Sequence, residues 1–214
     1  MSGGVKREYR SDLRSAQAEQ TRRAVVDAAS RLYVEHGYGG TTIDAVARAA
    51  GVSRKTVFTA VGGKLDLLKT ALDWAVAGDD RPVALEDRSE MRALLALDDP
   101  VDLLAGWARI LVDIDRRVGP LMTALEVAAG GDAEAAALIE SSQHQRLEGA
   151  RTVVRRLTAL KALRPDLSRD TAVDIAWLAS DAVLYDRLVR LRGWSHTRFE
   201  TWLAQNLCWQ LFDG

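Results

Sequence analysis

An all-α chain in two domains is what the sequence predicts, on three observations. Apolar residues recur at helical spacing through segment after segment. The breaks between those segments carry Gly, Pro or paired Asp. Only four prolines occur in 214 residues, and β-branched clusters are few. The predicted division is a polar, flexible tail over 1–12, a three-helix helix-turn-helix domain with a connecting helix over 13–78, and a larger helical domain over 79–214.

The first helix runs from about Leu13 to His36. Val25, Ala28, Ala29, Leu32 and Tyr33 share one face, and Arg22, Arg23, Asp27, Arg31 and Glu35 lie elsewhere. Gly37 stops it. A second helix opens at Thr41 or Thr42, a hydroxyl N-cap, with Asp44 at the positive end of the dipole and Ile43, Val46, Ala47 and Ala50 as its buried stripe. Gly51 supplies the turn, where φ > 0 is required. Ser53 caps a third helix from Arg54 to about Val61, which Gly62-Gly63 ends. Lys64 to about Val76 is a fourth, amphipathic helix leading to a boundary at Gly78-Asp79-Asp80-Arg81-Pro82.

Beyond the boundary, a short helix is expected near Ser89–Leu97. Asp98-Asp99-Pro100 begins a helix to about Val118, apolar through Leu103, Leu104, Trp107, Ile110, Leu111 and Ile114. Gly119-Pro120 is expected to break it before a shorter helix from Leu121 to Ala129. A long helix covers 133–161. Another, capped by Ser168, runs from Arg169 to about Arg192, and the last from Ser195 to about Phe212.

The second and third helices make a helix-turn-helix whose third helix opens on Arg54, Lys55, Thr56 and Thr59. Those residue types suit a DNA major groove. An Arg forks onto guanine O6 and N7, Lys and Thr bond phosphates, and a Thr methyl meets a thymine methyl. The same pattern also fits a plain helical hairpin with a solvated charged end. Charge is unevenly spread: residues 1–64 carry 11 Lys+Arg against 6 Asp+Glu, and residues 65–214 carry 18 against 24. A basic first third suits contact with nucleic acid.

Thr21 to Lys64 resembles the DNA-binding domain of the TetR (tetracycline-repressor-like) family of bacterial transcriptional regulators. The residues that carry the resemblance are TRRAVVDAASRLYVEHGY, the Thr41-Thr42 pair, the AxxAGVS turn, the KTVF helix and the lysine after a glycine pair. It implies a homodimer whose two third helices enter successive major grooves of a pseudo-palindromic operator. The expected base-edge or groove contacts are Arg54, Lys55 and Thr59. Thr42, Thr56 and Lys64 are expected on phosphates, with Arg48 as an addition. Phe58 stands where the family usually has Tyr and Ala60 where it usually has His, so two ordinary phosphate contacts are lacking.

The resemblance further implies that the carboxy-terminal helices enclose a small effector and dimerise through the last two long helices as a four-helix bundle. Four of the six tryptophans fall in the final 38 residues (Trp177, Trp194, Trp202, Trp209). Helix 169–192 is apolar on two sides and needs two partners, its own core and a second subunit. The candidate interface is Trp202, Leu203, Asn206, Trp209 and Gln210. Candidate effector residues are Trp107, Met122, His144, Trp177 and Tyr185, with Asp181 as a carboxylate among apolar neighbours; core packing for the aromatics and a solvent face for His144 are the alternative.

No catalytic constellation, metal-ligand spacing or cofactor loop stands out, so the expectation is a regulator without catalytic residues, metal or cofactor. Cys208 is the single cysteine, which excludes an intramolecular disulfide. No run approaches a membrane span and the first residues lack a signal-peptide core, which points to a cytoplasmic protein. The reading is therefore a ligand-responsive regulator that acts as a repressor. Its rivals are a DNA-binding factor without an effector, and a helical interaction module with an incidental helix-turn-helix.

Overall fold

A computed structural model describes residues 4–81, 83 and 85–212, with the side chains of residues 4–13 and of Glu86 left undescribed. Ten α-helices follow one another in the described residues. They are α1 Gly4–Gly40, α2 Ile43–Ala50, α3 Arg54–Ala60, α4 Lys64–Ala77, α5 Ser89–Leu95, α6 Pro100–Ala129, α7 Ala133–Ala159, α8 Arg169–Ala179, α9 Ala182–Tyr185 and α10 His196–Leu211. A 3-10 turn, Leu85–Asp87, precedes α5, and a π-helical turn, Asp186–Leu191, continues α9. The chain divides into two compact units, Met1–Trp74 with Pro120–Ala136, and Ala75–Gly119 with Ala137–Gly214.

Three expectations need correction. Residues 4–12, expected as a flexible tail, are helical and continuous with α1; Lys6 to Asp12 contains no helix breaker, so local propensity carries the helix outward. Residues 1–3 lie outside the described residues. The break foreseen at Gly119-Pro120 is absent: α6 passes through Pro120. The buried stripe Val112, Val118, Leu121, Ala124, Leu125, Ala128 continues on both sides of the proline and outweighs one missing N–H donor. Conversely, the helix expected over 169–192 is interrupted. The Ser180 hydroxyl folds back onto the Trp177 carbonyl at 2.7 Å, and Asp181 caps α9 by accepting from the Val183 N–H at 3.0 Å. Two side chains that compete with the backbone in succession stop α8 and restart the chain as α9.

In the first unit α1 supplies the buried wall, with Val25, Val26, Ala28, Ala29 and Tyr33 packed among Val46, Val57, Leu67, Leu68 and Ala71. Gly37, at φ 68°, breaks α1 as the sequence indicates. The second unit has a continuous apolar core from α5, α6, α7, α8 and α10, including Leu94, Leu104, Trp107, Leu111, Val153, Leu157, Ala176, Phe199, Leu203 and Leu207.

Candidate nucleic-acid interface and effector site

The first site is assembled by the α2–turn–α3 segment. Thr42 caps α2 by accepting the Ala45 N–H at 3.1 Å, and Gly51 closes it in the left-handed conformation at φ 68°. Ser53 caps α3 by accepting the Thr56 N–H at 3.1 Å. Val57 is fully buried against the first unit's core. A seven-residue helix anchored by one valine must present its opposite face, and Arg54, Lys55, Phe58 and Thr59 are all exposed there. Tethers from neighbouring helices fix the height of this face. Arg22 of α1 donates to the Ala60 carbonyl at 2.9 Å, and the Tyr33 hydroxyl to the Lys64 carbonyl at 2.5 Å.

The side chains are already partly committed. Arg54 pairs with Asp44 of α2 at 3.2 Å and lies 5.7 Å from the centroid of the Phe58 ring. The Thr59 hydroxyl donates to the Lys55 carbonyl at 2.9 Å, which leaves its methyl as the outward group. Thr56 is half-buried and shares a 2.8 Å hydrogen bond with Ser53. Arg48, Lys55 and Thr42 are exposed. Lys64 is half-buried with its ammonium 4.1 Å above the Tyr38 ring, and desolvation holds its pKa below the ordinary lysine value. Tyr38 and Arg22 were not picked out as supports by sequence reasoning; no spacing rule links them to Lys64 and Ala60.

In the second unit three of the six candidate effector residues come together and three do not. Trp177, Asp181 and Tyr185 sit at the α8–α9 junction. Trp107 is a buried core residue of α6, Met122 lies in the segment that groups with the first unit, and His144 is exposed with Nδ1 at 3.0 Å from the Glu140 carbonyl. The junction also gathers two residues that sequence reasoning missed, Arg146 of α7 and Asp115 of α6. Arg146 grips Asp181 with two contacts of 3.2 Å, and its guanidinium carbon lies 5.6 Å from the Trp177 ring centroid. Asp115 occupies the next place on the stripe Leu104, Ala108, Leu111, Val112, and its burial was legible in that spacing alone. Its residue is 5% exposed, and burial pushes its carboxyl up to about 7, opposed by Arg146 and reinforced by Asp181. The Tyr185 hydroxyl is 2.6 Å from His196 Nδ1, and the two rings stack.

The last helix separates the expected interface residues into two sets. Leu203, at 1% exposed, is spent on the chain's own core and is not available to a partner. Its place one turn from Phe199 and Leu207 on α10 is the reason, since all three share the inward face. Trp209 is 76% exposed, and Trp202, Asn206 and Gln210 are half-buried. Burial raises the pKa of the half-buried Cys208 thiol, the opposite of what a reactive thiolate needs. Among the described residues no cluster of His, Cys, Asp or Glu could hold a metal ion, and no helix is long and apolar enough to cross a membrane.

Residues 25–71 match the family described as bacterial regulatory proteins, tetR family. The HTH-type transcriptional regulator SrpR of Pseudomonas putida is 41% identical over 58 residues, and the match spans 27% of this chain and only 27% of that relative's length. Among solved structures, the SmeT–triclosan complex aligns with a TM-score of 0.70 at 19% identity, covering 90% of this chain and 92% of that one. SmeT is the repressor of a Stenotrophomonas maltophilia multidrug efflux pump. NalD, the secondary repressor of the MexAB-OprM multidrug efflux pump in Pseudomonas aeruginosa, aligns at 0.66 and 20% identity over 92% of this chain and 98% of its own. At these identities the structural likeness establishes a shared fold.

Proposed function

We propose that the chain is a member of the tetR family of bacterial regulatory proteins, which its residues 25–71 match, and that it is a cytoplasmic, homodimeric transcriptional repressor, without enzymatic activity, released from a pseudo-palindromic operator by a small-molecule effector. The observation that carries the reading is the exposed face of α3. Arg54, Lys55, Phe58 and Thr59 face outward from a helix capped by Ser53 and pinned by buried Val57. In a major groove Arg54 and Lys55 read base edges, and the Thr59 methyl meets thymine. Thr42, Thr56, Arg48 and Lys64 hold phosphates at the flanks. Phe58 takes the place of a phosphate-binding hydroxyl and contributes apolar contact beside Arg54 instead.

DNA binding has a cost at Arg54, which exchanges Asp44 for guanine or phosphate. Both partners of that pair are well exposed, so the exchange is cheap. Two recognition helices of a dimer meet half-sites one helical turn or a multiple apart. An effector that favours another dimer geometry lowers operator affinity by its preference for that geometry. Two neighbours that repress multidrug efflux pumps, one of them, SmeT, captured with triclosan, support a small-molecule-responsive repressor. Trp209, the half-buried Trp202, Asn206 and Gln210, and the exposed Leu178, Val183 and Leu191 supply the apolar and polar surface that a second subunit covers.

Fluorescence anisotropy on DNA from upstream of the protein's own gene, against a scrambled duplex and over a range of salt, tests this reading. Tight binding to the upstream duplex alone, weakening steeply with salt and lost in Arg54→Ala, is the expected result. If selection from random DNA also enriches no sequence, the regulator reading fails.

A further inference from the structure

The α8–α9 junction says what kind of effector the second unit takes; this inference rests on the regulator reading above. Asp115 of α6, Arg146 of α7, and Trp177 and Asp181 at the junction form one electrostatic cluster inside the second unit. Arg146 and Asp181 neutralise one another through a two-point contact, each atom pair at 3.2 Å. Asp115 is left over. It is 5% exposed and makes no hydrogen bond or ion pair with any described residue. Two polar atoms here are fully buried without partners, Nε of Arg146 and Nε1 of Trp177. Buried polar groups are nearly always satisfied, because each unpaired one forfeits its hydration without return. Two such atoms beside a carboxyl that pairs with nothing mark a place that a guest completes.

The chemistry of the guest follows from what is unpaired. An anion would face Asp115 and Asp181, with Arg146 already engaged. A neutral apolar guest would leave Asp115 as it is. A cation beside Asp115 supplies the missing charge, and the Trp177 ring offers a face that already holds the Arg146 guanidinium at 5.6 Å from its centroid. The Trp177 N–H then has a donor to spare for an acceptor atom on the guest. Leu111 and Val112, one turn before Asp115 on the same buried stripe, meet an apolar body. We propose that Asp115, Arg146, Trp177 and Asp181 form the effector subsite for an organic cation, an ammonium group carried on an apolar body.

Full-length protein is titrated with a matched set of probes while tryptophan fluorescence and heat are recorded. The set is phenylpropyl-trimethylammonium, 3-phenylpropylamine, 3-phenylpropanol and 3-phenylpropanoate, with longer alkyl homologues of each. Cations are expected to bind at least tenfold more tightly than the alcohol or carboxylate of the same body, and Asp115→Asn to remove that preference. The two cations separate a quaternary ammonium from a protonated amine. A second readout needs no variant: lowering the pH from 8 to 5.5 is expected to weaken cation binding to the wild type at least tenfold, because a proton then competes for Asp115. Arg146 and Asp181 are the charged groups that face Asp115, and Tyr185, in hydrogen-bond contact with His196, interacts with it as well. Equal binding of cation and alcohol, absence of binding by every cation, or pH-independent cation affinity would overturn the inference. Operator anisotropy on the same preparation keeps the two readings apart. Specific DNA binding without cation selectivity refutes the subsite alone, and cation selectivity without specific DNA binding refutes the regulator alone.

Discussion

Replacing Asp115 with Asn should stabilise the protein above neutrality and not below pH 4. Ordinary aspartate titrates at 3.8, whereas burial brings the folded chain's Asp115 to about 7. Between those values the folded state holds a proton that the unfolded state has released. Stability from this group is therefore fully present below pH 4 and is lost as pH rises to 7. Each tenfold difference in proton affinity is worth about 1.4 kcal/mol, so the whole loss is about 4 kcal/mol, of which about 3 kcal/mol falls between pH 5 and 8. Asn has the same shape, stays neutral, and keeps a hydrogen-bonding group in the same place. Urea unfolding of wild type and variant at pH 5, 6, 7 and 8, at one fixed protomer concentration, isolates this term, since every other titrating group cancels in the difference. The expected signature is a gap that widens in the variant's favour by a midpoint shift on the order of 1 M urea from pH 5 to 8. A gap that stays constant with pH would refute the argument. It would mean that Asp115 is ionised and solvated in the folded state.

Arg54→Ala should weaken operator binding by about 1–3 kcal/mol and relax preference at one base position, read by anisotropy on a panel of single-base variants. Ser53→Ala removes the acceptor for the Thr56 N–H; a loss of about 1 kcal/mol in urea unfolding is expected, with weaker operator binding as α3 frays. Gly51→Ala places a Cβ in open space but at φ 68°, so its cost of about 1 kcal/mol should come from backbone strain alone, and Gly51→Asn should cost less. Trp209→Asp, at a side chain 76% exposed in the single chain, should convert dimer to monomer in analytical ultracentrifugation while preserving helical circular dichroism. An unchanged dimer would place the interface elsewhere.

The unequal legibility of the two sites in the sequence has a physical cause. Everything that builds the α2–turn–α3 face lies within 24 residues: a Thr cap, a left-handed Gly, a Ser cap, one buried Val and the exposed residues between. Such rules act on neighbours in sequence, and they located the helices to within a residue. Pro120 shows their limit. A local rule ends the helix there, yet the buried stripe that runs from Val112 to Ala128 holds α6 together across it. The α8–α9 junction is the reverse case, in which a two-sided apolar pattern suggested one helix through Arg192. Asp181 read as a carboxylate among apolar neighbours within that helix, and nothing local says that it and Ser180 stop it.

The reason for the stop lies elsewhere in the chain, because the Asp181 carboxylate that caps α9 also meets Arg146, 35 residues earlier. A continuous helix would keep the Val183 N–H for its own ladder and leave that capping role unused. The interruption costs backbone hydrogen bonds in α8, and the ion pair, the cap and the Ser180 bond to Trp177 offset part of that cost. None of these accounts for Asp115, which gains nothing from the break and remains unpaired. A fold selected for stability alone would bury a leucine at that place, in line with Leu111 and Val112. The retained carboxylate, with the unpartnered indole N–H of Trp177 in the same cluster, is better explained by a guest than by the core.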